Sequence, residues 1–535
     1  MSVNDLIAEG QRLFNSNNFD EAITKLNLAL NEIEDKNSQL EEQNDILFSL
    51  GLCYCKLARK TKNEFLAPLL FVFATTYHKK QLELAKKQTD EQKCIRTKIH
   101  AQFGLGYCYL EQAIQTKNVA KANEFLEQAI ECYQQFLHLT NDLKNYPGRT
   151  ILEKIVYSDF NKISFLKKEW RNYFNNKKKE ICGSLFSDGD ERLNKELENA
   201  VSSVLAVLHI PPIELGSTPL AHYTSSTVCN KLFGVVNGDD PSPMRIGSST
   251  YMNDPSEGKG LLELLALQEL ELENKANYSG NNAFFTCFSA RVNDLNQFRL
   301  YGKEDGVEAS GGCLVFNKYG NWLKESDISV TFHSSTKNQD ENSADPEDDN
   351  ISNVEYKNLP LYQVAYIAYK DEYITKEKCE IWLDGSKFGI RLKPIGENKD
   401  WHDFRIKELE KALQQLIDFF KVKDNVNDQN KNVLEYIRYL FKDFAFRDEE
   451  EFRVLKIAEI GSEEIKYCET TQSIYLPYAD ISNVVDEVIL GTNYEKTNSR
   501  HKAEVFLHEM RQKCPDVKVS LSSLPIYANP PIKKD

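Results

Sequence analysis

At 535 residues, with 27% charged and 41% apolar side chains, the chain exceeds one ordinary domain of roughly 100–200 residues and is predicted to form about three structural units. Its net charge of −15 disfavours nucleic acid and anionic lipid as partners, and no run approaches the roughly 18 apolar residues of a membrane span. The start MSVNDLIAEG lacks an apolar leader, and the twelve cysteines, none in C-x-x-C spacing, predict neither a disulfide framework nor a metal site. A reduced cytoplasm is the expected compartment, either that of the producing cell or that of another cell into which the protein is delivered.

The first stretch, LIAEGQRLFNSNNFDEAITKLNLAL, sets Gly10 and Ala22 where two antiparallel helices approach closely, with Leu13, Leu26 and Ala29 filling the gap between them. NSNNFD supplies the turn, with Asp20 as the expected helix cap. A second start follows at ILFSLGLCYCKLA (Gly51, Tyr54) and a third at AQFGLGYCYLEQA (Gly106, Tyr109), continuing through Ala129 and Tyr133. FLAPLLFVFATTY is too short to span a bilayer and reads as a buried helix. This spacing resembles a tetratricopeptide-repeat region over residues 1–145. Such an array implies a curved stack of helices whose concave face binds a protein partner or peptide. A purely structural helical cap is the bland alternative.

Residues 146–214 are predicted to be a helical connector. At HIPPIELGSTPLAHYTSS, Pro211, Pro212, Gly216 and Pro219 end the helical regime. Short runs rich in Phe, Tyr, Val and Ile follow, among them AFFTCFSA, GGCLVF, ISVTF, YQVAYIAY, FRVLKI and VVDEVILG. Helical patterns interrupt them at GLLELLALQELELENKA, HDFRIKELEKALQQLIDFFKV and KNVLEYIRYLFKDF. The mixture predicts an α+β domain over 215–525, with the acidic, aromatic-free tract 333–355 as a disordered insertion.

Five segments put polar residues inside buried-looking strands: LAHYTS, IGSSTYMNDPSEG, FFTCFS, NQFRLYG with GGCLVF, and EEEFRV. With VDEVILGTNYEK, their order resembles a bacterial family of unknown function, which in turn looks like the ADP-ribosyltransferase superfamily. That resemblance implies a split, mixed or antiparallel β-core and NAD as substrate. It implies that His222 orients ribose or phosphate, that Glu451 is the catalytic carboxylate, and that Glu449 is the first Glu of an E-x-E pair. It further implies that Ser248, Ser249, Thr250 and Tyr251 supply hydroxyl and stacking groups, with the Asn253-Asp254 turn completing the cofactor-binding set. SSTY departs from the superfamily's Ser-Thr-Ser, and Arg453 has no place in its motif.

The chemistry fits those residue types. Breaking the nicotinamide glycosidic bond builds positive charge on the ribose, which a nearby carboxylate stabilises. A second carboxylate holds or deprotonates the nucleophile. Tyr223 or Tyr251 can stack on nicotinamide, and Arg299 or Arg453 can pair with the pyrophosphate. On an extended strand, Glu449, Glu451 and Arg453 share one face, with Glu450 on the other. The same residues have ordinary explanations too: a satisfied core histidine, a turn at Asn253-Asp254-Pro255, and an internal ion-pair network at Glu449–Arg453. Three functions stay open: an effector or defence-type protein that cleaves NAD to transfer or hydrolyse ADP-ribose, a non-catalytic protein-interaction scaffold, and a nuclease holding Mg²⁺ on Asp254, Glu257 and the glutamates.

Overall fold

The computed structural model describes residues 2–33, 39–61, 63, 65–143, 149–186, 194–235, 241–251, 258–267, 281–318, 322–324, 359–369, 379–383, 387–396, 398–469, 471–478, 481, 484–497 and 501–526. The expected strand ISVTF, the acidic tract and the Asn253-Asp254 turn lie outside them. The described chain forms two compact units, one ending at Glu169 and one starting at Trp170.

The first unit is all helical: α1 (Val3–Asn15), α2 (Phe19–Asn31), α3 (Leu40–Lys60), α4 (Leu66–Ala85), α5 (Glu91–Gln115), α6 (Val119–Asp142) and α7 (Arg149–Leu166). Side-chain caps start several of them, with Ser2 and Asp5 forming a capping box on α1 and Asp90 and Asn118 capping α5 and α6. At α2 the cap position belongs to Asn18, and Asp20 sits inside the first turn, where its charge suits the helix N-terminus. Each helix packs on the next from α1 to α6, and α3 also meets α5.

A polar seam runs through this apolar core. His78 Nδ1 donates to Gln81 Oε1 (2.9 Å), Gln81 Nε2 donates to Asn44 Oδ1 (2.7 Å), and Asn44 Nδ2 donates to His100 Nδ1 (3.1 Å). Burial, then Arg96 and His78, push His100 down to about 3, so it stays neutral and can accept that bond. The His78 ring lies between Gly51 and Gly104, where an added Cβ would come within 2.3 Å and 2.2 Å of it. Gly51→Ala is therefore expected to cost about 1–3 kcal/mol by overpacking. Gly183→Ala, with nothing within 4 Å of the new methyl, should stabilise its helix by about 0.5–1 kcal/mol. Thermal melts of both variants check the contrast.

The second unit opens with α8 (Trp170–Leu185), α9 (Lys195–Leu208) and the short α10 (Pro212–Leu215). The expected connector 146–214 is thus divided, α7 going with the first unit and α8 to α10 with the second. The reason is that α9, AVSSVLAVL, is buried nearly all round against α14 (Lys399–Phe420). Between them come β1 (Ala221–Thr224), α11 (Ser226–Leu232), β2 (Arg245–Ser248), α12 (Gly260–Leu264), β3 (Asn281–Ser289), α13 (Leu295–Leu300), β4 (Gly312–Phe316), β5 (Leu361–Gln363), β6 (Ala365–Tyr369), β7 (Ile381–Trp382) and β8 (Phe388–Arg391). After α14 follow α15 (Asp428–Asn432), β9 (Phe441–Asp443), β10 (Glu451–Glu459), β11 (Lys466–Cys468), β12 (Ser473–Pro477), β13 (Val485–Leu490), α16 (Ala503–Lys513) and β14 (Lys518–Leu521).

The main sheet is antiparallel except for the parallel pair β13–β14, and a smaller sheet runs β7-β8-β6-β9. β3 and β10 pair along nine residues and are buried on both faces, which is why they read as near-continuous apolar runs. Phe284, Phe288, Phe452 and Val454 enter one core with Trp322, while Phe285 and Leu455 enter another with α9, α14 and the smaller sheet. Two expected elements differ. KNVLEYIRYLFKDF is not a continuous helix: after α15 it breaks into 3-10 turns and ends in β9, because Ile437, Leu440 and Phe441 are all buried and no solvent face is left. Ser249–Tyr251 forms a 3-10 turn beyond β2 rather than a strand.

Candidate active site in a forked strand edge

The edge of β3 away from β10 is shared by two strands. β2 pairs with it at Phe284 and Phe285, and β1 pairs with it only at Ser289, through Ala221, before diverging to run with β4. Backbone direction follows from two bonds. Phe316 N donates to Leu220 O, so Ala221 and Tyr223 turn their amides toward β3; Ala290 N donates to Glu450 O, so Cys287 turns its amide toward β1. Among the described residues, no strand pairs Tyr223 or Cys287 on those sides. A cavity of about 280 Å³ opens there, lined by residues 221–223 and 285–289 together with Arg245, Gln297, Tyr301, Lys442, Glu449, Glu451 and Arg453.

His222 closes the fork. Its Nδ1 lies 2.8 Å from the Cys287 carbonyl, which can only accept, so Nδ1 carries the proton. Burial lowers the imidazole's pKa despite that bond, so the ring is neutral near pH 7 and Nε2 is a lone-pair acceptor.

The carboxylates arrive by a kinked route. Glu449 ends a 3-10 turn, Glu450 is left-handed (φ 46°, ψ 53°), and β10 begins only at Glu451. The expected extended E-x-E strand is therefore absent, and the αL residue, at a cost of about 1–2 kcal/mol, is what lets both carboxylates turn to one cation. That cation is Lys442 on β9, whose Nζ is 2.7 Å from Glu449 Oε2 and 3.1 Å from Glu451 Oε2. Tyr301 donates to Glu449 Oε1 (2.6 Å), and Arg453 Nε donates to Glu451 Oε1 (2.7 Å). Glu450 points elsewhere, pairing with Arg291 and Lys393.

Similar groups in one site titrate apart. Burial would raise the Glu451 carboxyl, but Arg453, Lys442 and a hydrogen bond from the Cys287 thiol outweigh it and hold Glu451 well below the usual range. At Glu449 burial wins, with the Glu451 charge adding to it and Lys442 only partly offsetting it, so its pKa is raised. One carboxylate is fixed as an anion and its neighbour is made a better base, the division of labour expected of an acid–base pair.

Several expected roles change. His222, Tyr223, Glu449, Glu451 and Arg453 do meet at the cavity. However, Tyr223's ring packs edge-on against Phe298 and its hydroxyl joins Arg291 O and Asp294 N, so its backbone rather than its ring is what the fork offers. Arg453 is 1% exposed and committed to Glu451 and the Tyr439 carbonyl, which removes it as a phosphate ligand. Arg299 pairs with Glu308 on the surface, away from the cavity lining. Ser248 bonds Thr250, and Ser248 and Ser249 both bond Asn282, with the turn after β2 outside the lining. The Tyr251 side chain, Asn253 and Asp254 lie outside the described residues.

Lys442, Tyr301, Gln297 and Arg245, all in the lining, carry no expected site role. One signal was present: a lysine inside the apolar run YLFKDF must be paired if buried, and the glutamates stand seven and nine residues on. Comparison with protein-family models, curated proteins and solved structures finds no match to this chain.

Proposed function

We propose that the second unit is an NAD-cleaving domain of the ADP-ribosyltransferase kind, breaking the nicotinamide glycosidic bond. The observation that carries this is the convergence, in a fork of the sheet, of a neutral His222 with an ionised Glu451 and a basic Glu449 from more than two hundred residues away. Among the described residues, the N–H and C=O of Tyr223 have no strand partner, and a primary carboxamide presents the complementary acceptor and donor. His222 Nε2, an acceptor, suits a ribose hydroxyl rather than a phosphate. Glu451 stabilises the oxocarbenium-like state, and Glu449 receives a proton from the nucleophile. Arg245, an exposed cation lining the cavity, takes over the pyrophosphate role expected of Arg453 and Arg299.

In the first unit, the close approaches of Gly10 to Leu26, Gly51 to His78 and Gly106 to Tyr133 place a small residue against the following helix in three successive hairpins. That supports a tetratricopeptide-type array, and we propose that it binds a protein segment, giving a two-part effector or defence-type protein.

The same contacts support a second reading, in which the Lys442–Glu449–Glu451–Arg453 network only stabilises a non-catalytic scaffold. A metal-dependent nuclease fits less well, because Lys442 Nζ already occupies the position between Glu449 and Glu451 that a cation would take. Nicotinamide release by the full-length chain separates the readings. His222→Ala should raise KM about fivefold to tenfold with kcat little changed, the loss of one hydrogen bond of about 1 kcal/mol. Absence of turnover by the wild-type chain leaves the scaffold reading.

A further inference from the structure

Resting on that reading, we infer that the site delivers ADP-ribose to water, so that the domain is an NAD hydrolase and not a protein-modifying transferase. The ground is the placement of Glu449, the group that would hold the nucleophile. It is 6% exposed, both its oxygens already accept bonds from Tyr301 and Lys442, and Glu451 beside it is 4% exposed. Tyr301, itself 38% exposed, lines the cavity and reaches in from the surface to bond Glu449.

Size and charge point the same way. The cavity, about 280 Å³, is at the lower end of small-ligand pockets, which run about 300–1,000 Å³. A water, whose share of volume is about 30 Å³, is the smallest nucleophile such a space can admit beside a bound substrate. An arginine or lysine acceptor would add a cation beside Lys442 and Arg453. A carboxylate acceptor would have to enter against Glu449 and Glu451. Water brings no charge, and of a carboxylate's roughly four lone-pair sites two on Glu449 are used by Tyr301 and Lys442, which leaves room to orient it.

The step balances with nothing further. The C1′–N bond breaks with its electron pair going to the pyridinium nitrogen, which leaves as neutral nicotinamide. A water oxygen forms the new bond to C1′ and passes one proton to Glu449, which returns it to solvent. NAD and water thus give ADP-ribose, nicotinamide and one proton.

The test uses the full-length chain and NAD labelled in its adenosine half, with methanol and agmatine as competing small and large nucleophiles. Without methanol, free ADP-ribose should match the nicotinamide released; with it, free ADP-ribose and methyl ADP-riboside together should do so, and neither labelled protein nor an agmatine adduct should form. Tyr301→Ala, by removing a ring that lines the cavity beside Glu449, should admit agmatine and raise its adduct at least tenfold over Tyr301→Phe, which keeps the ring. Label on the protein, or an agmatine adduct from the wild type, overturns hydrolysis while leaving NAD cleavage standing. No nicotinamide from any variant overturns both.

Discussion

Glu451→Gln should lower nicotinamide release by about 10²–10³-fold, the loss expected when one preorganised electrostatic group is removed from a transition state. The substitution keeps the side chain's shape and an oxygen that can still accept from Arg453 Nε, now 2.7 Å from Glu451 Oε1. It removes the negative charge that would face the developing ribose cation. Removing one partner of a buried ion pair costs about 3–5 kcal/mol, and retention of the Arg453 bond places this variant toward the lower end. Circular dichroism and a thermal melt therefore accompany the rate. A variant that stays folded and binds NAD but has lost turnover fits a catalytic carboxylate; one that loses both together with its fold fits the purely structural network.

Lys442→Met is the second large effect, and it carries a pH signature. In the wild type, the folded pKa of Glu451 lies below the ordinary glutamate value of 4.5, so this group contributes stability above that value that is lost as pH falls through the folded pKa. Glu449 behaves oppositely: its folded pKa is raised, so its ionisation costs stability at neutral pH, and the cost is relieved on acidification through that raised value. Methionine withdraws the attraction of Lys442 from both carboxylates, and both folded values rise. The variant should be about 3–5 kcal/mol less stable than the wild type near pH 8 and closer to it near pH 5. Urea or thermal melts at the two pH values measure the gap. A gap that is constant, or wider in acid, would mean that Lys442 does not compensate these carboxylates.

The sequence carried much of this arrangement. Helices with small residues at the hairpin contacts, the change of regime at the prolines near residue 211, and the aromatic strands of the second unit were all legible, because each leaves a period or a breaker in the chain. So were His222, Glu449 and Glu451, as polar residues set in runs that otherwise had to be buried. What the sequence hid was the cation between the glutamates. YIRYLFKDF has helix-like spacing, and only packing from all sides turns it into 3-10 turns and β9, the element that aims Lys442. The left-handed Glu450 was equally illegible, since a glutamate gives no local sign of φ near +46°. Arg453 was visible but misassigned, because a donor two residues from a carboxylate on the same strand face meets that carboxylate before it can meet a ligand.

If the fork between β1 and β3 cleaves NAD as proposed, the purified 535-residue chain releases nicotinamide from it. The incubation is run at near-stoichiometric protein so that even slow turnover registers. Release by the wild type and its loss in folded Glu451→Gln are the expected results; no release by a folded wild type, or equal release by both, would overturn NAD cleavage at this site.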